Sequence, residues 1–279
     1  CAGMVAPAQS TRAAPTPTAH SGVVVASTPS GNLTPSKDLE PWQQEMLCEY
    51  RTRGLQAALE SFDRSLESNP SLADLPSTYI LASETLHAAG APCSACADML
   101  WNVLEIRLPD TQTCRIVAYH LLSLERFDES VKLLEIVRDR LAPAEPHSFW
   151  DLAFARFHRL RQTMEAAKDV TAAPEAKHAA ERHLRAEMTQ VINDLAEVVV
   201  NIEWAPRFSE IEWPALILLS WAVAWAEHEL KALDATATLW PEERLPASRF
   251  RLGGTDGPKL DVFVWLGWDT DHTDVDLHV

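Results

Sequence analysis

Apolar residues recur at helical spacing along most of this chain, in blocks separated by proline, glycine and acidic turns. From Pro41-Trp42 the pattern runs through Leu55, Leu59, Phe62 and Leu66 and stops at Asn69-Pro70. A second helix is predicted over Pro76 to Ala89, a turn at Gly90-Ala-Pro92, and a third helix from Cys93 to Ile106, closed by Pro109-Asp110. Around Leu121 to Arg138 the pattern is that of a helix, a tight turn and a second helix. Leu121, Leu122 and Leu124 end one stripe, Glu125-Arg126-Phe127-Asp128 interrupts it, and Val131, Leu134 and Val137 open another.

These pairs repeat. Leu81, Thr85 and Ala88 align with Cys114, Ala118 and Leu121, and Ala97, Trp101 and Leu104 align with Ser130, Leu134 and Val137, all at a step of thirty-three residues. A third pair, from Trp150, Phe154 and Phe157, follows at a step of thirty-six. Two-helix units of this length bury their apolar faces only against their neighbours, which predicts an α-solenoid in a mainly α chain, with Leu134 and Val137 buried between units. Residues 161–187 are polar, Ala-rich and charged in both signs, which predicts a solvated helical insertion. Val191, Ile192, Leu195, Val198 and Val199 restore an apolar face, and Trp213 to Leu233 reads as a long buried helix, its apolar run being too short for a membrane span.

The flanks differ in character. Residues 1–38 are rich in Ala, Pro, Ser and Thr and read as a flexible linker, with residues 39–245 as the helical repeat domain. Cys1-Ala-Gly before this tether has the look of a processed lipoprotein start; the other reading is a linker cut from a longer chain. Residues 246–279 change to β patterning: Leu260 to Trp268 is one strand, Asp269 to Asp274 a polar turn, and Val275 to Val279 a second strand. Two strands cannot enclose a core, so this segment reads as the truncated β-hairpin that opens a β-sandwich-like domain.

The repeated hairpins resemble tetratricopeptide repeats at Leu81, Ala97, Trp101 and Pro109, at Cys114, Ala118, Ser130, Leu134 and Pro143, and at Trp150 and Phe154. The last twelve residues carry Trp-Asp-x-Asp-x-Thr-Asp-x-Asp-Leu-His-Val, similar to the start of an uncharacterised β-domain. In large, often exported proteins that domain follows helical repeats and, further upstream, von Willebrand type A and inter-alpha-trypsin-inhibitor-like domains. The resemblance favours the cut-linker reading of the N-terminal segment and implies a multidomain protein in a secreted, periplasmic or lipid-anchored setting. In the repeat family the first helix of each pair lines a concave groove that holds a protein or peptide. By register, the groove positions here are Tyr79, Leu86, Gln112, Arg115, Tyr119, Ser148, Asp151, His158 and Arg159. The function expected from this is a non-enzymatic interaction scaffold, whose partner is a protein, a peptide or a neighbouring domain of the same chain.

Composition narrows the partners. A net charge of −16 and a pI near 5.0 set the chain against nucleic acid, because the phosphate interaction that dominates such binding would be repulsive. Asp269, Asp271, Asp274 and Asp276 surround the polar turn and make a candidate Ca²⁺ site, although their spacing is not that of a twelve-residue EF-hand loop; a self-bonded Asp turn is the simpler reading. A calcium-binding adhesive or surface protein is therefore the alternative function. Cys93-Ser-Ala-Cys96 follows Pro92 at a helix start, where it reads as two core thiols, as a redox pair, or as half of a zinc site completed by Cys114, His87 or His120. No Gly-rich phosphate loop, Gly-x-Ser-x-Gly elbow or His-Glu-x-x-His motif occurs, so no catalytic residue or resident cofactor is assigned.

Overall fold

Among the described residues, five α-helices begin on proline, at Pro41, Pro70, Pro76, Pro146 and Pro174. At the first helical position the missing N–H has no intrahelical partner to lose and the ring already holds a helical φ. The computed structural model describes residues 39–106, 110–168, 174–200 and 204–233, which are mainly helical and contain no strand. The helices are α1 (Pro41–Arg53), α2 (Leu55–Ser68), the short α3 (Pro70–Ala73), α4 (Pro76–Ala88), α5 (Cys93–Ile106), α6 (Thr111–Ser123), α7 (Phe127–Ile136), α8 (Pro146–Lys168), α9 (Pro174–Val200) and α10 (Glu212–Leu233). A π-helical turn, Val137–Leu141, extends α7, and a 3-10 turn, Pro206–Ile211, leads into α10. The predicted linker at 1–38 and the β-hairpin with Asp269, Asp271, Asp274 and Asp276 lie outside the described residues.

Each helix packs on the next, giving the hairpins α1–α2, α4–α5, α6–α7 and α8–α9, with α10 laid against α9. The single pattern expected from Pro41 to Leu66 is in fact two helices. Gly54, at φ 89°, turns the chain back on itself between them, a conformation that costs a residue without Cβ nothing. Of the segment predicted as a solvated helical insertion, 161–187, the described residues are helical and mostly exposed or half-buried, but Met164 and Leu184 reach the core, so the segment is the end of α8 and the start of α9. α8 and α9 run antiparallel, as the ion pairs Arg156–Asp194 and Arg159–Glu187 require, and Met164, Leu184 and Met188 are buried between helices. Its polar residues occupy the remaining faces, so average polarity disguised an amphipathic pair.

The repeat register also differs from the sequence reading. In the second helices Cys96, Ala97, Met99, Leu100 and Val103 are buried, and so are Ser130, Val131, Leu133, Leu134 and Val137, thirty-four positions on. In the first helices Ala82, Ser83 and Leu86 match Val117, Ala118 and Leu121 at thirty-five. Leu81, expected inside, is exposed, and Leu86, expected to face outward, is fully buried. Small residues meet between the two helices of the α4–α5 and α6–α7 hairpins. The Ser83 hydroxyl donates to the Cys96 carbonyl at 2.9 Å, and at the equivalent crossing the Ser130 hydroxyl donates to the Ala118 carbonyl at 2.9 Å.

Two equivalent turns close these hairpins. After α4, the Ala91 and Gly90 N–H groups donate to the Leu86 and His87 carbonyls; after α6, the Arg126 and Glu125 N–H groups donate to the Leu121 and Leu122 carbonyls. Both are Schellman caps, which need a left-handed residue. Gly90 meets the need at φ 86°, whereas the second turn places Glu125 at φ 58°. A side chain in that region costs about 1 kcal/mol, so Glu125→Gly should stabilise the fold by about that much in urea titrations. Gly90→Ala should cost about the same, even though a methyl group there meets nothing within 4 Å.

Candidate functional site

The described residues contain two cores, and α8 belongs to both. Leu152 and Ala155 join the core built from α1 to α7; Trp150, Ala153, Phe157, Leu160 and Met164 join the one shared with α9 and α10. A helix covered on both sides leaves few solvated positions for polar residues, and Asp151, Arg156 and His158 are all buried. The sequence reading placed Ser148, Asp151 and His158 on an outward face, and the structure buries all three: Ser148 and Asp151 against Arg115 of α6, and His158 between Phe127 of α7 and Trp221 of α10.

Asp151 ties α8 to α6. Its Oδ2 accepts from Arg115 Nε at 2.9 Å, and its Oδ1 accepts a short hydrogen bond from the Tyr119 hydroxyl. Arg115 Nη2 donates in addition to Glu145 Oε2 and to Ser148 Oγ, both at 2.9 Å. Burial pushes the Asp151 carboxyl up to about 6, against the opposing pull of the Arg115 charge and the Tyr119 and Arg115 hydrogen bonds. Desolvation therefore outweighs the ion pair.

A second network faces the other way. Asp194 of α9 accepts from Arg156 at 2.6 Å and from Arg138 of the π-turn at 3.0 Å, while Arg156 also reaches Glu135 at 2.8 Å. Arg159 pairs with Glu187 at 2.5 Å and lies 3.7 Å from Asp128. His158 has no such partner. Its ring lies among Phe154 at 4.5 Å, Phe127 at 5.9 Å, Phe157 at 6.2 Å and Trp221 at 6.4 Å. That apolar burial, with the Arg161 charge nearby, pulls its pKa down to about 4, so the imidazole is neutral at pH 7.

Of the expected groove residues, Tyr79, Gln112, Arg115, Tyr119 and Arg159 keep some exposure. Tyr79 donates its hydroxyl to the Ala73 carbonyl at 3.2 Å and sets its ring edge-on to Phe62 at 5.7 Å. Arg115 and Tyr119 share Asp151, whereas Arg159 is turned toward α9. The sequence reading missed Glu84 and Ile116, both of which are exposed. Ile116 stands thirty-five residues after Leu81, and Tyr119 thirty-five after Glu84, so α4 and α6 carry the same exposed stripe at equivalent positions. Glu84 Oε1 lies 3.7 Å from His120 Nδ1, which brings the two stripes side by side. The matching glycine and glutamate of the two turns, Gly90 and Glu125, were the sequence signal for this spacing.

The thiols occupy unlike sites. Cys93 is exposed at the start of α5, while Cys96 and Cys114 are fully buried. Burial, then the neighbouring Cys93, pushes the Cys96 thiol up to about 11, which keeps it protonated and un-nucleophilic at neutral pH. Among the described residues no three His, Cys, Asp or Glu side chains converge as metal ligands, and no helix is long and apolar enough to cross a membrane. Compared with known proteins, the chain matches no family model and no curated sequence.

Asp151 and His158 load the fold with opposite pH dependences. A carboxyl raised in the folded state stabilises below its unfolded pKa and loses that contribution as pH climbs from about 4 to about 6. An imidazole lowered in the folded state stabilises above about 6.5 and loses its contribution as pH falls toward about 4. Each slope is worth about 2–3 kcal/mol. Urea midpoints between pH 4 and 6.5 should therefore rise with pH in Asp151→Asn and fall with pH in His158→Phe, while the parent chain changes less than either.

Proposed function

We propose that residues 39–233 form a tetratricopeptide-like α-solenoid that acts as a non-enzymatic interaction scaffold within a larger multidomain protein. The single observation that carries this reading is the duplicated stripe on α4 and α6, where Leu81 and Ile116 are 38% and 39% exposed at equivalent positions of successive hairpins. Isolated exposed aliphatics are ordinary on any surface. A pair repeated by the register of the hairpins, on helices that approach one another at Glu84 and His120, is what a face shared by successive units would present.

Preorganisation supports the same reading. Tyr119, 38% exposed beside Ile116, has its hydroxyl held by Asp151, which fixes the side chain and lowers the entropic cost of any contact it makes. Arg115 is fixed by Asp151, Glu145 and Ser148. Burial of Asp151 thus has a consequence at the surface: the face is set before a ligand arrives.

The expected partner engages the stripe with apolar side chains. In affinity selection from a peptide library, Leu81→Ser combined with Ile116→Ser should weaken captured peptides about tenfold, with the thermal midpoint unchanged, because both side chains lie outside the cores. Peptides that bind the double variant as tightly as the parent chain would refute the assignment.

A further inference from the structure

Resting on the scaffold reading above, we infer that the occupant of the α4–α6 face is a basic amphipathic segment, with lysine or arginine beside its apolar residues. The argument is charge complementarity. α4 contains no lysine or arginine, and α6 contains only Arg115. That arginine is neutralised where it stands: its side chain is 16% exposed and ion-paired to both Asp151 and Glu145. The acids of the face, Glu145 paired with Arg115 and Glu84 close to His120, are more exposed than that arginine. Glu84 keeps 54% of its side-chain exposure next to Leu81, and Glu145 keeps 34% next to Arg115.

The local excess of acid is therefore built into the same patch as the exposed aliphatics. Leu81 of α4 and Ile116 and Tyr119 of α6 are its exposed apolar residues, with Glu84 one turn from Leu81 and Glu145 paired to Arg115, the neighbour of Ile116. An anionic or purely apolar segment would partly desolvate the exposed sides of these carboxylates without matching them; cationic side chains pair with those exposed oxygens while their stems lie on the aliphatic residues. The whole chain's charge of −16 adds long-range attraction for such a partner, which raises its encounter rate.

The test uses the full chain and three synthetic helical peptides with leucine on one face and lysine, glutamine or glutamate on the other. Because a cation binds any acidic protein to some degree, site-specific variants decide the outcome. The leucine–lysine peptide should bind best, and Glu84→Lys should weaken it about fivefold, whereas Glu67→Lys, an exposed change on α2, should alter it little. Raising the ionic strength to about 1 M should remove most of the difference between the lysine and glutamine peptides. If the glutamine peptide binds as tightly at low salt, or if Glu67→Lys matches Glu84→Lys, the basic-partner inference is overturned while the scaffold reading stands. If Leu81→Ser with Ile116→Ser changes the binding of none of the peptides, the face itself is wrongly assigned and both readings fail.

Discussion

Everything in this fold leans on α8 being buried from two directions. One side of the helix closes the core of the preceding hairpins through Leu152 and Ala155, and the other opens a second core with α9 and α10 through Phe157 and Leu160. Its polar residues must then be matched inside the protein. Asp151 is matched by Arg115 and Tyr119 of α6, and Arg156 by Asp194 of α9 and Glu135 of α7. His158 is accommodated by losing its charge among aromatic rings. Removing one partner of a buried pair strands the other at a cost of about 3–5 kcal/mol, so these contacts make the register between hairpins specific even where their net stabilisation is small.

The same arrangement explains the chemistry left on the surface. Arg115 and Tyr119 are the residue types that dominate interfaces, yet the arginine is largely consumed by Asp151, Glu145 and Ser148. What the α4–α6 stripe presents is mainly aliphatic side chains, a tyrosine ring and carboxylates. A surface that looked mixed in sequence is, once its internal pairs are counted, apolar and acidic. The proposed scaffold role and the proposed basic partner both grow from this subtraction.

Much of the helical architecture was legible in the order of residues. α5 spans the predicted Cys93–Ile106, Leu134 and Val137 are fully buried as expected, and Trp213 to Leu233 lies within a helix whose inner face is core. Where the reading failed, the cause is specific. Gly54 was passed over because α1, polar on average with only Gln43, Met46 and Leu47 buried, has no clear stripe of its own to end before the strongly amphipathic α2 begins. The described part of 161–187 is mostly solvated, as read, but its few apolar residues, Met164 of α8 and Leu184 of α9, enter one core from facing helices, which average polarity hid. A groove set drawn from family register contained Leu86, Asp151 and His158, all of them buried.

That last failure is geometric. A helix turns about 100° per residue, so a repeat step misjudged by one or two positions moves a side chain from one face to another. Apolar residues are dense enough here that steps of thirty-three, thirty-four and thirty-five all find matches, and Leu81 and Leu86 exchanged their places inside and outside on that account alone. By itself the sequence determined most of the helices and the pairing within the α4–α5 and α6–α7 hairpins, because hydrophobic period, proline starts and turn residues are local signals. Only the tertiary structure decided which stripe faces solvent and which charges are already spoken for, because Arg115 and Asp151 lie thirty-six residues apart and meet only when α6 and α8 are packed.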